Sequence, residues 1–403
     1  MEEVNGAPGV GHFIRVFLSR TETFVYNQLR TLERYRPTAF CHHTSPSFAG
    51  DFDVVSVRDS APPVLRTLDD LSYRTIRRLP GPSATLLARA VRARSIDVLH
   101  FHYLVDARFF LDVKRKSGLP AVVSGYGYDV SLFPLSMKGY GRRYLAALFR
   151  EMDCFLAMSE DMEKDLVAIG CPPEKVVVHY YGTETDRFVH AGRTYGEVPV
   201  VNVLAVGTLE PKKAQDRVLR ALAQWNRSQG GRQRFTVTFA GDGPLRPELE
   251  AIVRELGWED RVTFHGHVPH EDPLLVDLYR AADVFALPSV TIGGDKEGIP
   301  GTIVEAMAAG LPVVATYHAG IPAAVTHEET GLLVREDDFD GLAASLGRLI
   351  EDASLRERLG RRAAADAHAR LRLHSKTPHL EELYDRVRSR VKGPAGGALG
   401  VPD

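Results

Sequence analysis

The sequence predicts an α/β protein built from two doubly wound domains. Short apolar runs alternate with longer segments of helical periodicity along the chain, which is the pattern of βα units that form parallel sheets. The pattern starts again near residue 198. Before it, within residues 183–199, neither the strand period nor the helix period continues. A chain of 403 residues is also too long for one ordinary hydrophobic core, so two domains of similar size are expected.

Six strands are predicted in each half of the chain. Those of the first half are residues 12–18, 52–57, 97–102, 120–125, 154–159 and 175–181. Those of the second half are residues 198–209, 235–243, 261–268, 283–289, 311–316 and 330–334. Open parallel sheets bind ligands beyond the carboxyl ends of their strands, so the segments that follow these strands are the first candidates for a functional site.

The domain boundaries follow from the same patterns. The first domain is predicted to span residues 1–184 and the second residues 185–374, with a helix at about 375–391 that packs back on the first. Within the first domain, the Pro-Gly-Pro at 80–82 should break the helical stretch 64–94 in two. Residues 392–403 are rich in glycine and proline and are expected to be disordered.

The composition excludes several classes of protein. The formal net charge of -2 gives no basic field of the kind that nucleic-acid binding requires. Cys41, Cys154 and Cys171 are far apart and in no Cys-x-x-Cys spacing, which argues against a disulfide framework and against a structural zinc site. The cysteines fit a reducing cytosol best, so we expect a cytoplasmic protein. Since no apolar run reaches the roughly 18 residues of a membrane span, any membrane contact is expected to be peripheral.

The stretch EGIPGTIVEAMAAGLPVVAT, residues 297–316, is the most informative segment. Pro300 suits the first turn of a helix, Gly310 suits its C-terminal cap, and LPVVAT suits the buried strand that follows. Glu297 is then predicted in the loop before the helix, and Glu305 inside it.

The predicted start of this helix is a suitable phosphate-binding site. Gly298 and Gly301 leave the backbone N–H groups accessible, and the positive end of the helix dipole favours an anion there. A carboxylate beside a phosphate-binding site makes sense if Glu297 binds uncharged hydroxyls of the same ligand, as in a sugar joined to a diphosphate. Glu305 could accept hydrogen bonds from a ribose. The alternative is an ordinary helix with one stabilising and one exposed glutamate.

Other segments carry a resemblance to a known family, in the order expected of it. They are VLAVGTLEPKKAQD, FAGDGPLRPELE, VTFHGHVPHED, AADVFALPS, HAGIPAAV and TGLLV. With the paired glutamates, the sequence resembles the retaining glycosyltransferases of family 4, which have the GT-B fold of two Rossmann-like domains facing across a cleft and carry a Glu-x7-Glu motif. SRTETFVYNQLRTL, DVLHFHYL and GYDVS resemble a subgroup that builds exopolysaccharides such as colanic acid, and the resemblance covers about residues 12–390.

The resemblance implies a transfer of a sugar from a nucleoside diphosphate to a hydroxyl of a glycan, glycolipid or natural product, with no metal or other cofactor. The second domain would bind the nucleotide sugar and the first the acceptor. The implied catalytic residues are Glu297, Lys213 and Tyr126. The implied residues of the nucleotide-sugar site are Thr208, Lys212, Gly266, His267, Gly298, Ile299, Pro300, Gly301, Thr302 and Glu305.

Two positions depart from the family pattern. Thr208 stands where the family usually has arginine, so one positive charge is missing. Tyr126 stands where the family has a histidine before the glycine of GYD, and tyrosine is a poor base at neutral pH. These departures leave open the alternative that the protein is a non-catalytic relative that only binds nucleotide sugars. A nucleotide-sugar epimerase or a glycoside-processing enzyme of the same fold is a further alternative.

The acceptor side of the site is predicted with less detail. Its candidates in the first domain are Glu22, Thr23, Phe24, His102 and Asp129. His100 and His102 alternate on a predicted strand, a spacing that two metal ligands could use, but no third ligand is evident and hydrogen-bonded packing is the alternative. The Arg-rich stretch 66–94 could bind anionic lipid heads at the inner face of a membrane, or could be a solvated helix face.

Overall fold

The computed structural model describes residues 6–17, 23–45, 52–60, 62–190, 192–232 and 234–392. The chain divides into two compact units. The first consists of Met1–Tyr181 with Lys376–Asp403, and the second of Gly182–Ser375. Glu22 and nearly all of the tail predicted to be disordered lie outside the described residues.

The first unit contains a seven-stranded sheet in which every neighbouring pair is parallel. Its strands are β1 (Gly9–Phe17), β2 (Arg36–Thr44), β3 (Val54–Ser56), β4 (Ile96–His102), β5 (Ala121–Ser124), β6 (Cys154–Ala157) and β7 (Val176–Val178), in the spatial order β3-β2-β1-β4-β5-β6-β7. Six of these strands were predicted, and β2 was not.

Helices precede and follow the strands of the first unit. They are α1 (Thr23–Arg30), α2 (Val57–Ser60), α3 (Pro63–Ile76), α4 (Gly81–Ala93), α5 (Leu104–Phe109), α6 (Leu111–Ser117), α7 (Tyr140–Glu151) and α8 (Glu160–Ala168). The break between α3 and α4 lies at the Pro-Gly-Pro sequence, as predicted, because proline suits the first turn of a helix but removes a backbone hydrogen bond from its interior. In the described part of the chain, no helix is both long and apolar enough to cross a lipid bilayer.

The second unit contains a six-stranded parallel sheet. Its strands are β8 (Val201–Val206), β9 (Phe235–Ala240), β10 (Val262–Phe264), β11 (Val284–Leu287), β12 (Val313–Thr316) and β13 (Gly331–Val334), in the order β10-β9-β8-β11-β12-β13. Its helices are α9 (Gln215–Ser228), α10 (Arg246–Leu256), α11 (Pro273–Ala281), α12 (Gly301–Ala308), α13 (Ile321–Ala324), α14 (Phe339–Glu351) and α15 (Ala353–Asp366). All six strands were predicted.

The last helix, α16 (Leu373–Lys392), returns to the first unit. Leu380, Leu383, Tyr384 and Val387 form one buried cluster with residues of β1, β4, β5, β6 and β7. Glu381, also buried, accepts hydrogen bonds from the backbone N–H groups of residues 33 and 34 at 2.8 and 2.7 Å. One face of the first sheet is therefore covered by the end of the chain.

Candidate functional site

Glycines shape the carboxyl ends of β8, β9 and β10. Gly241 follows β9 with a φ of 152°, a conformation that other residues rarely adopt. A Cβ atom at this position would collide with the carbonyl of Gly207, which follows β8. The N–H of Gly241 donates to the carbonyl of Gly266 at 2.8 Å, so the turn after β10 meets the same edge. Three strand ends thus approach one another through backbone alone.

Two lysines in the turn after β8 face two carboxylates. Nζ of Lys213 lies 3.0 Å from Oε1 of Glu297, and Nζ of Lys212 lies 3.1 Å from Oδ2 of Asp295. The four side chains are mostly buried, with exposed fractions between 10% and 20%. The sequence predicted three members of this group. Asp295 was missed because the paired-glutamate spacing does not include it.

The opposite charges in this group stabilise the charged forms of Glu297 and Lys212. Burial raises the pKa of Glu297, but Lys213 and Lys212 outweigh burial, and the pKa lies below its usual value. Burial lowers the pKa of Lys212, but Glu297 and Asp295 outweigh burial and raise it. Glu297 is therefore ionised and Lys212 protonated at neutral pH. Such a site offers cations to a phosphate and a carboxylate to a hydroxyl.

Polar atoms around the pairs lack hydrogen-bond partners within the described residues. Oε1 of Glu297 forms the ion pair with Lys213 but has no further hydrogen-bond partner in the described part of the chain. Oδ1 of Asp295, Oγ of Ser289 and Oγ1 of Thr302 are also buried and unsatisfied. A buried polar atom left without any partner costs about 1–3 kcal/mol. Their concentration between β11 and the first turn of α12 indicates a ligand site.

Helix α12 begins where the sequence predicted. Pro300 is its N-cap, and Gly310 follows its C-cap with a φ of 78°. The segment Gly298–Thr302, which includes the buried Ile299, forms the approach and the first turn. The first N–H groups of a helix have no partner inside the helix, so this segment can donate to an anion.

Glu297 is fixed by a hydrogen-bonded chain of side chains. Its backbone N–H donates to Nε2 of His318 at 3.0 Å, and Nδ1 of His318 lies 2.7 Å from Oε1 of Glu336. Glu336 also accepts from the N–H and Oγ1 of Thr291, at 2.7 and 3.2 Å. The sequence showed His318 only as part of the HAGIPAAV segment and gave no signal for Glu336.

Glu305 is buried inside α12, as predicted, but both its oxygens face protein groups. The hydroxyl of Tyr279 donates to Oε2 at 2.7 Å, and Nε2 of His270 lies 3.3 Å from Oε1. Burial lowers the pKa of His270, but the hydrogen bond and charge of Glu305 outweigh burial, and the pKa is raised. A ribose hydroxyl at Glu305 would have to share the carboxylate with these groups.

The remaining predicted residues of the second unit lie at the same strand ends. Thr208 follows β8 and is half-buried, and its carbonyl accepts a hydrogen bond from Nε2 of Gln215 at 2.9 Å. His267 follows β10 and is exposed next to Gly266. The structure thus brings the predicted residues of the nucleotide-sugar site to one edge of one sheet.

Tyr126, in the first unit, is tied to two buried histidines. Its hydroxyl lies 2.7 Å from Nδ1 of His102, whose Nε2 lies 3.0 Å from Nδ1 of His12. Burial holds the pKa of His12 and of His102 well below the ordinary value, so both rings are neutral. The ring of Tyr126 packs against that of Phe24, with centroids 4.7 Å apart. The adjacent Thr23 is half-buried at the start of α1.

His12 supplies the third histidine that the sequence did not reveal. One nitrogen of each of His12, His100 and His102 lies within 4.8 Å of the others, a grouping that could hold a metal ion. However, His100 uses Nδ1 with the hydroxyl of Tyr384 at 2.6 Å and Nε2 with Oγ of Ser124 at 2.8 Å. Both ring nitrogens of His100 thus have hydrogen-bond partners, whereas Nε2 of His12 is buried and has none among the described residues.

Two of the acceptor-side candidates, His102 and Asp129, are fully buried. The carboxylate of Asp129 accepts backbone N–H groups of residues 104, 126 and 127 at 2.8, 3.0 and 3.1 Å. The two residues position Tyr126 and its turn.

Comparison with known proteins agrees with this arrangement. Residues 21–187 match the family model described as Glycosyltransferase Family 4, and residues 201–352 match that of Glycosyl transferases group 1. The amylovoran biosynthesis glycosyltransferase AmsK of Erwinia amylovora is 32% identical over 324 residues, which cover 77% of each chain. The chain belongs to glycosyltransferase family 4. The predicted enzyme class is thereby confirmed.

Another relative matches over a shorter length of the chain. The putative colanic acid biosynthesis glycosyltransferase WcaL of Salmonella typhimurium is 38% identical over 201 residues, 49% of this chain and 48% of the relative. The match thus spans about half the length of that relative.

Solved structures confirm the GT-B fold of this family 4 chain. HepE of Anabaena, solved with UDP and glucose, superposes with a TM-score of 0.73 at 19% identity and covers 94% of this chain and 100% of its own. Sucrose-phosphate synthase of Thermosynechococcus elongatus superposes with a TM-score of 0.74 at 19% identity, covering 95% and 99%.

Proposed function

We propose that this family 4 enzyme transfers a sugar, with retention of anomeric configuration, from a nucleoside diphosphate to a hydroxyl of a growing polysaccharide or glycolipid. The observation that carries the proposal is the buried Lys213–Glu297 pair beside the start of α12. The pair supports the proposal because a cation suits a diphosphate and a carboxylate suits the hydroxyls of a sugar. HepE, which shares the fold, was solved with UDP and glucose, which supports a nucleotide-sugar ligand.

Each part of the ligand has a proposed partner in the second unit. Lys213 and Lys212 bind the diphosphate, and Gly298–Thr302 donate backbone N–H groups to its distal phosphate. Glu297 accepts hydrogen bonds from hydroxyls of the sugar. Glu305 holds the ribose, and the turn that contains Gly266 and His267 lies at the base.

The proposed chemistry needs no metal and no protein base. As the bond between the sugar and the diphosphate breaks, negative charge grows on the leaving phosphate oxygen. Lys213 and the start of α12 stabilise that charge, and such preorganised electrostatic stabilisation usually contributes more to catalysis than any other single effect. The acceptor oxygen bonds to the anomeric carbon on the face that the diphosphate leaves, so the anomeric configuration is retained, and the proton of the acceptor hydroxyl passes to the leaving phosphate oxygen. Tyr126 is compatible with this route.

The first test is calorimetric titration with UDP, GDP, ADP and TDP. We expect one nucleotide to bind clearly, and Lys213→Ala to weaken it by at least about thirtyfold, since the loss of one charged partner of a buried anion costs about 2 kcal/mol or more. Arg254→Ala, which removes an exposed cation on α10, is the matched control and should bind like the wild type. No binding of any of the four would contradict the proposed site.

The acceptor class is proposed from the relatives and from the surface of the first unit. AmsK and WcaL are named for amylovoran and colanic acid biosynthesis, so we propose a lipid-linked glycan precursor as acceptor. An acceptor of this kind is reached at a membrane surface. Arg78 and Arg94 of the Arg-rich stretch pair with Asp112 and Asp53, and the members that the structure leaves exposed are Arg66, Arg77, Arg89 and Arg92.

Sedimentation with vesicles tests this peripheral contact. We expect the protein to bind vesicles with anionic phosphatidylglycerol and not neutral phosphatidylcholine vesicles, because each basic residue near an anionic surface contributes about 1 kcal/mol. The triple variant Arg66→Ser, Arg89→Ser, Arg92→Ser should lose most of this binding, and a variant with three exposed arginines of the second unit replaced should not. Equal binding by both variants would refute the contact.

A further inference from the structure

The loop Thr291–Glu297 carries both carboxylates that face the lysines, and two residues far away in sequence hold its ends. Glu336 accepts from the N–H and hydroxyl of Thr291 at one end, at 2.7 and 3.2 Å. His318 accepts from the N–H of Glu297 at the other end, at 3.0 Å. Nδ1 of His318 lies 2.7 Å from Oε1 of Glu336, so a single pair of side chains connects the two ends of the loop.

The geometry fixes the tautomer of His318. A backbone N–H can only donate, so Nε2 of His318 must carry a lone pair where it faces Glu297. The ring proton is then on Nδ1, where Oε1 of Glu336 accepts it. If Nε2 also carried a proton, its N–H would face the backbone N–H of Glu297, and neither group could accept a hydrogen bond. The ring is fully buried, so solvent offers Nε2 no alternative partner.

The pair is anchored to rigid parts of the second unit. The guanidinium of Arg217 in α9 donates to the carbonyl of Glu336. The N–H of Tyr317, next to His318, donates to the carbonyl of Val334 in β13 at 2.8 Å. The loop also has internal hydrogen bonds between the backbones of Ile292 and Asp295, at 3.3 and 2.9 Å, but its two ends are held by groups anchored on α9 and β13.

We propose that His318 and Glu336 are positioning residues that hold the Thr291–Glu297 loop, and with it the carboxylate of Glu297, in the geometry that sugar transfer requires. The role in transfer rests on the proposed function of Glu297, whereas the tautomer and the support of the loop do not. His318 acts through the backbone of Glu297 and does not touch the substrate.

Two substitutions of His318 separate the roles of its two ring nitrogens. In His318→Gln, the side-chain oxygen can replace Nε2 and still accept from Glu297. In His318→Asn, the amide can replace Nδ1 and still donate to Glu336, but nothing accepts from Glu297. Transfer should therefore survive the first substitution better than the second.

The structural arm of the test needs no substrate. In protein labelled with ¹⁵N-histidine, long-range ¹H–¹⁵N spectra should show the tautomer of His318 with its proton on Nδ1, assigned by the loss of its signals in His318→Gln. Amide hydrogen exchange at Glu297 should remain protected in His318→Gln and lose its protection in His318→Asn. A proton on Nε2, or equal exchange in both variants, would overturn the proposal.

The functional arm measures release of nucleoside diphosphate from UDP-glucose and from GDP-mannose. A displacement of about 1 Å at a reacting group can lower the rate by roughly a hundredfold. We expect kcat to fall by about that factor in His318→Asn and to fall much less in His318→Gln. Neither substitution should change the affinity for UDP or GDP. Equal losses in both variants would indicate a general structural role and reject the proposal.

His327 provides the matched control. Its Nδ1 also accepts a backbone N–H, from Leu333 at 2.9 Å, but it does not touch the loop. Substitution of His327 by glutamine or asparagine should leave kcat and the exchange at Glu297 unchanged. If the wild type turns over neither sugar nucleotide, the tautomer and exchange results still decide the positioning role, and the nucleotide titrations decide the proposed function separately.

Discussion

Replacement of Glu297 with alanine should abolish sugar transfer while nucleotide binding persists. Loss of one preorganised polar group at a reacting centre typically lowers kcat by about 10²–10³-fold. Nucleotide affinity should be equal or higher, because Nζ of Lys213, now 3.0 Å from Oε1 of Glu297, would be free to meet the diphosphate. The measurement is nucleotide release from the donor that the titrations identify, together with titration of the free nucleoside diphosphate.

The controls separate the charge of Glu297 from its shape. Glu297→Gln keeps the volume and one acceptor oxygen but cannot neutralise Lys213, so it should also lose most activity. Glu329→Ala removes an exposed carboxylate of the same unit and should be active. Undiminished turnover in Glu297→Ala would show that the sugar binds elsewhere.

Replacement of Asp129 with alanine should destabilise the first unit by about 3 kcal/mol or more. Its carboxylate accepts three backbone N–H groups at 2.8–3.1 Å, and each donor left unsatisfied in a buried place costs about 1–3 kcal/mol. These N–H groups belong to the start of α5 and to the turn of Tyr126, so both should loosen. Urea unfolding measures the loss of stability, and hydrogen exchange locates it.

Asp129→Asn refines this prediction. Asparagine keeps one oxygen acceptor but turns an NH₂ group toward the donors. The free energy of unfolding of Asp129→Asn should therefore lie between those of the wild type and of Asp129→Ala. Burial raises the pKa of Asp129 more than its backbone hydrogen bonds lower it. A stability of Asp129→Ala within about 1 kcal/mol of the wild type would show that water replaces the carboxylate without cost.

The sequence predicted the fold where local signals were strong. In the second unit, the apolar runs and glycine stops marked every strand, and the helix after Pro300 began within one residue of its predicted start. In the first unit, β2 escaped prediction because Pro37, His42 and His43 interrupt its apolar run. Its hydrogen bonds come from β1 and β3 on either side, so neighbouring strands rather than composition make it a strand.

The site was predictable only where a motif lay within one segment. Glu297, Glu305 and the glycines between them are close in sequence, and family resemblance added Lys213. The support of these residues depends on long-range contacts. His318 and Glu336 meet the loop from 21 and 45 residues away, and His12 reaches His102 across 90 residues. No local pattern reports such pairs, because the sheet register brings them together.

The return of α16 to the first unit affects how the chain can fold during synthesis. β1, β4, β5, β6 and β7 leave the ribosome before Leu380, Leu383 and Tyr384, which cover them, have been made. At about 5–20 residues per second, the whole second unit takes on the order of ten seconds or more to appear. During that time one face of the first sheet is apolar and uncovered. The unit made first is therefore the last to be completed, and nascent chains are exposed to aggregation until the final helix docks.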